Sequence, residues 1–185
     1  MIVDPGGDER EELEGDEGEM EIGRRRDVGG DLLRTPIAEV VGRRATVTVA
    51  PDAPLEKVLA LMRAKKVSAV VVVERKKTHR VVGLFSERDL VNRALAVRGW
   101  AKAKVERFMT PGPETLAPKD PVAYALNKMS VGRFRHVPLV DEAGRPAGMV
   151  TAGDLLDFLV ELCPEEILNL PPEPRLALHP KAEGD

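Results

Sequence analysis

The spacing of apolar and polar residues predicts alternating helices and strands between residues 36 and 162. One segment carries apolar residues at i, i+3, i+4 and i+7, which is the pattern of an amphipathic helix: Leu55, Val58, Leu59 and Met62. The run from Ala69 to Val73 is apolar and mostly β-branched, as expected of a strand that is buried on both faces. These two segments predict a helix that leads into a buried strand.

The flanking segments complete an alternating order of elements. Pro36 to Gly42 predicts a short helix with proline near its start, and Thr46 to Val49 alternates as a short strand. After a charged turn, Val81 to Phe85 predicts another strand. A second amphipathic helix opens at Ser86, and its apolar stripe is Leu90, Val91, Ala94 and Leu95.

The same order of elements returns later in the chain. Residues 48–54 (TVAPDAP) align with residues 115–121 (TLAPKDP) at a shift of 67, and the turn between the two strands is two residues shorter in the second copy. Beyond that turn the shift is 65, so that Gly83, Ser86 and Asp89 meet Gly148, Thr151 and Asp154. Because order, spacing and residue types all recur, the sequence predicts an internal duplication.

The candidate chemistry lies where the last strand of each copy meets its helix. There a hydroxyl residue is followed three positions later by an acid, as Ser86 by Asp89 and Thr151 by Asp154. A helix start attracts phosphate, and a carboxylate beside it can accept hydrogen bonds from a ribose diol. The same spacing is also a capping box, which only begins a helix. The repetition favours two nucleotide clefts, and the capping interpretation stays open.

The formal net charge of −3 hides an uneven distribution. Residues 1–31 hold 12 acids and 4 arginines, so the remaining residues carry a net charge of +5. We predict that 1–31 is a disordered acidic arm, which serves as a solvating tail or, alternatively, binds a partner. Residues 171–185, a proline-containing polar tail, are predicted to be extended or disordered.

Composition excludes several classes of site. Aromatic residues make up 3% of the chain, which argues against a stacking platform for single-stranded nucleic acid. Cys163 is the single cysteine, so an intramolecular disulfide and a cysteine-based metal cluster are excluded. The sequence has no long apolar run and no positively charged start. We therefore expect a cytoplasmic protein with no membrane span and no metal site.

In sequence the whole set resembles a tandem pair of CBS domains, known as a Bateman module. The resemblance rests on segments that occur in the family's order: residues 67–74 (VSAVVVVE), 83–90 (GLFSERDL), 108–111 (FMTP), 135–141 (RHVPLVD) and 148–155 (GMVTAGDL). It implies an α/β fold of two β-α-β-β-α repeats, at residues 36–98 and 103–162, related by a pseudo-twofold axis. The chain looks most like a stand-alone member, because no catalytic or transport domain is attached.

The resemblance also implies two clefts between the repeats that bind AMP, ADP or ATP, and less often NAD or S-adenosylmethionine. By analogy, the first cleft combines residues of both repeats: Thr48, Ala53, Ser68, Ala69, Thr151 and Asp154. The second combines Thr115, Asp120, Arg135, His136, Val137, Ser86 and Asp89. Arg135 can offer a bidentate fork to phosphate, although an Arg-His pair before a strand is also common on a solvated edge.

Three functions compete on the sequence alone. The first is a regulatory sensor whose adenosine ligand signals to an unknown partner protein, with two chains pairing through the helices 55–65, 87–98, 121–131 and 152–162. The second is nucleic-acid binding by the net-positive core, which we consider the weaker interpretation. The third is an enzyme, which we do not favour because no nucleophile or second catalytic acid accompanies Asp89 or Asp154.

Overall fold

The protein is described here by a computed structural model, which covers residues 27–42, 46–75, 78–164 and 167. The predicted acidic arm up to residue 26 and the predicted tail 171–185 lie outside the described residues. Residues 27–31 depart from the predicted disorder, since the helix α1 (Val28–Arg34) begins there. The Asp27 side chain caps this helix by accepting a hydrogen bond from the Gly30 N–H, at 2.9 Å, which is a local signal in the sequence.

The first repeat follows the predicted order of elements. It contains α2 (Ile37–Val40), β1 (Thr48–Val49), α3 (Leu55–Lys65), β2 (Ala69–Val73) and β3 (Val81–Ser86). The helix after β3 starts as α4 (Glu87–Asp89) and continues as a π-helical turn, Leu90–Ala94. Two 3-10 turns, Trp100–Lys102 and Val105–Arg107, then lead into β4 (Thr110–Pro111).

The second repeat contains α5 (Val122–Gly132), β5 (His136–Val140), β6 (Pro146–Thr151) and α6 (Ala152–Leu162). Strands β1 to β4 form one sheet in that order, and β5 pairs with β6 in a second sheet. β1 runs parallel to β2, with Val49 opposite Val72, and a single parallel bridge joins Leu116 to Leu139. Since both residues of this bridge are displaced by 67, the duplication is present in strand pairing as well as in sequence.

The two repeats exchange their leading segments. Ile37 is buried in the core of the second repeat, beside Val122 and Leu155, whereas Val105 is buried in the core of the first, beside Leu55 and Phe85. Burying these side chains in the opposite half removes apolar surface from water. The exchange therefore ties the halves together through their cores.

Backbone hydrogen bonds along this exchange obey the pseudo-twofold relation. The N–H of Ile37 donates to the Asp120 carbonyl, and the N–H of Val105 donates to the Ala53 carbonyl, both at 2.9 Å. A second matched pair is Val122 N–H to the Thr35 carbonyl at 3.0 Å and Leu55 N–H to the Ala103 carbonyl at 2.9 Å. The α/β fold of tandem repeats packed about a pseudo-twofold axis, expected from the sequence, is confirmed.

One predicted helix face differs from expectation. The stripe predicted after Ser86 includes Val91 and Leu95, yet both are exposed, whereas Ala94 is fully buried. A π-turn accommodates one residue more than an α-turn and so rotates the residues that follow it around the helix. This rotation concerns Leu95, which follows the turn. Leu156, the equivalent of Val91 in the second repeat, is 61% exposed on a regular α-helix, so the exposure of Val91 does not depend on the π-turn.

Candidate functional site

Two cavities lie between the repeats, one beside each predicted acid. Cleft I has a volume of about 380 Å³. The first repeat and β4 with its following turn form most of its wall, and residues from the end of α5 to the start of β5 close it. Its lining residues are Ser68, Leu84, Ser86, Glu87, Arg88, Asp89, Arg93, Thr110, Gly112, Pro113, Glu114, Gly132, Phe134, Arg135 and His136.

Asp89 lines cleft I, and hydrogen bonds to Ser86 at the start of the same helix fix its carboxylate. Its Oδ2 accepts hydrogen bonds from the Ser86 N–H at 2.9 Å and from the Ser86 hydroxyl at 2.7 Å. The capping interpretation of this motif is therefore realised. Because both bonds fall on Oδ2, the other carboxylate oxygen, Oδ1, is the acceptor that faces the remaining neighbours.

Arg93 and Thr110 surround Oδ1 of Asp89. The Arg93 Nη1 atom lies 3.3 Å from Oδ1, and the Thr110 hydroxyl lies 3.5 Å from it. The same Nη1 also donates to the Met109 carbonyl at 2.9 Å and to the Phe108 carbonyl at 3.3 Å. The acid of cleft I is thus connected through Arg93 to the segment that joins the two repeats.

Cleft II, with a volume of about 430 Å³, lies beside the second acid. It is lined by Val41, Gly42, Thr46, Val47, Lys66, Val67, Ser68, Ala69, Glu87, Arg135, His136, Met149, Thr151, Ala152, Gly153 and Asp154. The Asp154 Oδ2 accepts from the Thr151 N–H at 2.8 Å and from the Thr151 hydroxyl at 2.6 Å. A capping box therefore holds this carboxylate as it holds Asp89.

The two clefts share one wall. Ser68, Glu87, Arg135 and His136 line both cavities. Across the wall, the Ser68 Oγ lies 2.8 Å from the His136 Nε2, so a hydrogen bond joins β5 to the residue before β2. Burial, and then the positive charge of Arg135, lowers the pKa of His136 below its ordinary value of 6.5. At neutral pH the imidazole is consequently uncharged.

The structure brings eight of the thirteen predicted site residues to these cavities. Ser68, Arg135 and His136 line both clefts, Ser86 and Asp89 line cleft I, and Ala69, Thr151 and Asp154 line cleft II. The acid of each repeat shares its cavity with residues of the other repeat. Asp89, for example, lines cleft I together with Arg135 and His136, the residues with which the sequence analysis grouped it. The assignment of these residues to a ligand stays a prediction.

The other five predicted residues lie elsewhere. Thr48 is in β1 opposite Val71, and Val137 is fully buried in the core of the second repeat. Ala53 and Asp120 occupy equivalent places where the leading segments are exchanged; the Asp120 carboxylate accepts from the Ala117 N–H at 2.7 Å. Thr115 lines an open cavity of about 510 Å³ at the two hairpin turns. None of the five lines cleft I or cleft II.

The corresponding walls are formed by residues that precede those positions. In cleft II the wall is Val41, Gly42, Thr46 and Val47, and in cleft I it is Thr110, Gly112, Pro113 and Glu114. β4 pairs with β3, with Thr110 opposite Leu84, and this pairing brings residues 110–114 to cleft I. Arg93 was also missed, although its spacing of four residues from Asp89 on a helix was a readable signal.

The residues that the structure describes contain neither a metal-binding cluster nor a membrane-spanning helix. Among them, no group of three or more histidine, cysteine, aspartate or glutamate side chains is placed to hold a metal ion. Within the same residues, no helix has the length and apolar character needed to cross a membrane.

Comparison with known proteins identifies the family. The profile of the CBS domain matches the chain twice, over residues 30–96 and 105–161. The chain belongs to the CBS domain family. Both matches fall on the repeats described above, and proteins with such CBS pairs are typically regulatory modules rather than catalytic ones.

Among curated proteins, chains of very different length are similar to this one. An uncharacterized 17.7 kDa protein of Acidianus ambivalens is 27% identical over 130 residues, which cover 70% of this chain and 76% of that protein. The meiotically up-regulated gene 70 protein of Schizosaccharomyces pombe is 34% identical over 128 residues, covering 69% of this chain. The match spans 16% of that protein, so the activity of the larger relative does not transfer to this chain.

Solved structures of CBS proteins share the fold. A CBS domain-containing protein of Agrobacterium tumefaciens is 32% identical, with a TM-score of 0.59, and the match covers 68% of this chain and 93% of that one. A CBS domain protein of Pyrobaculum aerophilum, solved in complex with AMP, is 28% identical, with a TM-score of 0.63. The match covers 70% of this chain and 99% of that one.

Proposed function

We propose that this CBS pair is a regulatory sensor that binds an adenosine nucleotide of the AMP, ADP or ATP type between its repeats. One observation carries the proposal: each repeat places an acid in an inter-repeat cavity whose opposite wall comes from the other repeat. Ligand binding in such a cavity can change how the repeats pack, because a ligand that contacts both repeats favours one arrangement of them. The AMP complex of the Pyrobaculum relative supports the choice of ligand class.

The acids suit a ribose diol. Asp89 and Asp154 are both 8% exposed, and each uses Oδ2 for its capping box. A carboxylate oxygen has two lone pairs, so Oδ1 can accept from a ribose hydroxyl while Oδ2 keeps the helix start in place. Arg135 and His136, which face both cavities, supply donors for the phosphate.

Binding measurements on acid-to-amide variants test this function. We expect AMP, ADP or ATP to raise the melting temperature of the wild-type protein, and Asp89→Asn or Asp154→Asn to weaken the affinity of the affected cleft about tenfold or more. That loss corresponds to one hydrogen bond to a charged group, about 1.5–3 kcal/mol. Asparagine keeps a carbonyl oxygen for the Ser86 or Thr151 N–H, so the helix starts are preserved.

Asp157→Asn is the matched control, because Asp157 is exposed on α6 and lines neither cleft. Its nucleotide affinity should equal that of the wild type. If no adenosine compound binds the wild type, or if Asp89→Asn, Asp154→Asn and Asp157→Asn all bind alike, the proposed function is wrong.

We also propose that the chain forms a homodimer through the helices that follow each cleft. Val91 and Leu156 are displaced by 65 residues and are 63% and 61% exposed, so equivalent helices present equivalent apolar side chains. A second copy can cover both faces together, because the pseudo-twofold axis relates them. A dimer would carry a change of packing in the clefts to a partner protein.

Light scattering at micromolar concentration tests the dimer. The wild type should have the mass of two chains. A double variant, Val91→Glu with Leu156→Glu, should have the mass of a single chain, because a buried unpaired carboxylate is costly at an interface. Ala143→Glu, in an exposed hairpin turn, adds the same charge away from these helices and should remain dimeric. A monomeric wild type would contradict the proposal.

A further inference from the structure

The wall shared by the two clefts is asymmetric, although the backbone around it is not. The Ser68 carbonyl accepts from the Glu87 N–H, and the Arg135 carbonyl accepts from the Ala152 N–H, both at 3.0 Å. Ser68 and Arg135 therefore occupy equivalent places in the two repeats. The residue that follows is Ala69 in the first repeat and His136 in the second. The second repeat alone contributes a guanidinium and an imidazole at this place.

The other cations that line cleft I have protein acceptors. Arg88 donates to the Arg133 carbonyl. Arg93 donates to the carbonyls of Met109 and Phe108 and lies beside Asp89. At neutral pH the shared wall consequently offers Arg135 as its one fixed positive charge, next to the acid Glu87.

In cleft II, the described residues of the lining include one further cation, Lys66. It is the C-cap of α3, has a left-handed backbone conformation with φ of 53°, and is exposed. A lysine there is a flexible point charge rather than a rigid fork. Arg135 and His136 are thus the phosphate donors that the two clefts have in common, whereas Arg88 and Arg93 line cleft I alone and Lys66 lines cleft II alone.

We propose that a nucleotide phosphate in one cleft excludes a second phosphate from the other, whereas uncharged adenosine ligands fill both clefts. The first phosphate takes Arg135 and His136 as donors and leaves the shared wall negative. A second phosphate would then meet like charge across the wall that Ser68, Glu87, Arg135 and His136 form between the clefts, in a partly enclosed space where charges are weakly screened. An uncharged ligand brings no negative charge to this wall and therefore does not repel a second ligand across it. This inference rests on the proposed function, because it assumes that both clefts accept adenosine compounds.

Titration calorimetry with two probes of matched adenosine structure tests the proposal. We use AMP as the phosphate-bearing probe and 5′-methylthioadenosine as the uncharged one, each at low salt and neutral pH. We expect one equivalent of AMP per chain, with any second equivalent at least tenfold weaker, and two equivalents of 5′-methylthioadenosine. Raising the salt concentration should strengthen the second AMP equivalent relative to the first, because salt screens the repulsion.

A substitution that completes the symmetry provides the sharper test. Ser68→Arg gives the first repeat a guanidinium at the place equivalent to Arg135, and position 68 is exposed, so a long side chain can be accommodated. We expect this variant to take two equivalents of AMP. Ser68→Gln, which adds a long uncharged side chain and equally removes the serine hydroxyl and its contact with His136, shows what that loss alone does to AMP affinity, and we expect it to gain no second strong equivalent.

The outcomes separate this inference from the proposed function. Two AMP equivalents of similar affinity in the wild type, or equal stoichiometry for AMP and 5′-methylthioadenosine, would overturn the exclusion while leaving nucleotide binding intact. A Ser68→Arg variant that melts at the temperature of Ser68→Gln and still takes one AMP would overturn it as well. Failure of both probes, and of ADP and ATP as well, to bind would instead refute the proposed function.

Discussion

Cleft I and cleft II are built on equivalent backbone segments, but they differ in the residue that lies four positions after the acid of each cleft. Asp89 is followed by Arg93, which also donates to the carbonyls of Phe108 and Met109. Asp154 is followed by Phe158, whose side chain packs against the core of the second repeat. Duplication has preserved the capping boxes, and the side chains around them have diverged. The acid of cleft I is therefore tied to the inter-repeat segment by a charged side chain that cleft II lacks at this position.

The difference extends to the helix itself. The residues after Asp89 form a π-turn, whereas α6 is a continuous α-helix from Ala152 to Leu162. π-turns occur often at functional sites, and this one places Ala94 in the core and Arg93 over the carbonyls of the inter-repeat segment. We expect the two clefts to respond differently to substitutions at equivalent places.

The largest expected effect comes from the exchanged segments that support the two halves. Ile37→Ala should lower the free energy of unfolding by about 3 kcal/mol, and Val105→Ala by about 2 kcal/mol, because both side chains are fully buried and isoleucine loses more carbon atoms. Urea denaturation of the wild type and of each variant measures the loss. Leu33→Ala, on an exposed side chain, should change stability by less than about 0.5 kcal/mol.

If Ile37→Ala costs no more than Leu33→Ala, the exchange of leading segments does not stabilise the half that carries Asp154. The corresponding result for Val105→Ala would remove the same support from the half that carries Asp89.

A smaller effect is expected at Arg93. Arg93→Gln loses the hydrogen bonds to Phe108 and Met109 and the contact with Asp89, and should lower the free energy of unfolding by about 1 kcal/mol. The expected loss of stability is small because the Arg93 side chain is 47% exposed, and ion pairs of exposed side chains contribute little. Hydrogen exchange at the Thr110 amide should accelerate, since the segment before it is less restrained.

Arg98→Gln removes an exposed arginine just beyond the π-turn and should leave both quantities unchanged. Equal exchange rates at Thr110 in the Arg93→Gln and Arg98→Gln variants would show that Arg93 does not hold the inter-repeat segment.

The fold could be predicted from this sequence because two independent signals agreed. Helical and strand periodicities gave the order of elements, and the shifts of 67 and 65 fixed which residues are equivalent. Strand pairing follows both shifts, since Val72 faces Gly83 and Leu139 faces Gly148. The π-turn could not be foreseen from local apolar spacing; in the structure Ala94 within it and Val97 beyond it pack into the core of the first repeat.

The sites were predictable only where a motif lies on one element. Ser86 with Asp89 and Thr151 with Asp154 are local capping boxes, so their geometry follows from sequence spacing. The walls that face them depend on which segments are exchanged. Ala53 and Asp120 were expected at the clefts, yet the exchange uses their carbonyls for the backbones of Val105 and Ile37. Long-range pairing of this kind leaves no trace in residue spacing.

The smallest effect concerns pH and His136 of the shared wall, whose equivalent in the first repeat is Ala69. The pKa of His136 is lowered in the folded protein by burial and by Arg135 and Arg88, while Glu87 and Asp154 act in the opposite direction. The unfolded chain, with a pKa of about 6.5, therefore binds a proton more readily than the folded one. The stability that comes from the uncharged imidazole is complete above pH 6.5 and is lost as the pH falls through the folded pKa.

Urea denaturation between pH 7.5 and about 5 measures this loss. The free energy of unfolding of the wild type should decline over this range, and His136→Gln should decline less. A variant at the exposed His79 (His79→Gln) should decline as the wild type does. Equal slopes for the wild type and His136→Gln would mean that the imidazole titrates as it does in the unfolded chain, and the wall between the clefts would then carry a second positive charge below neutral pH.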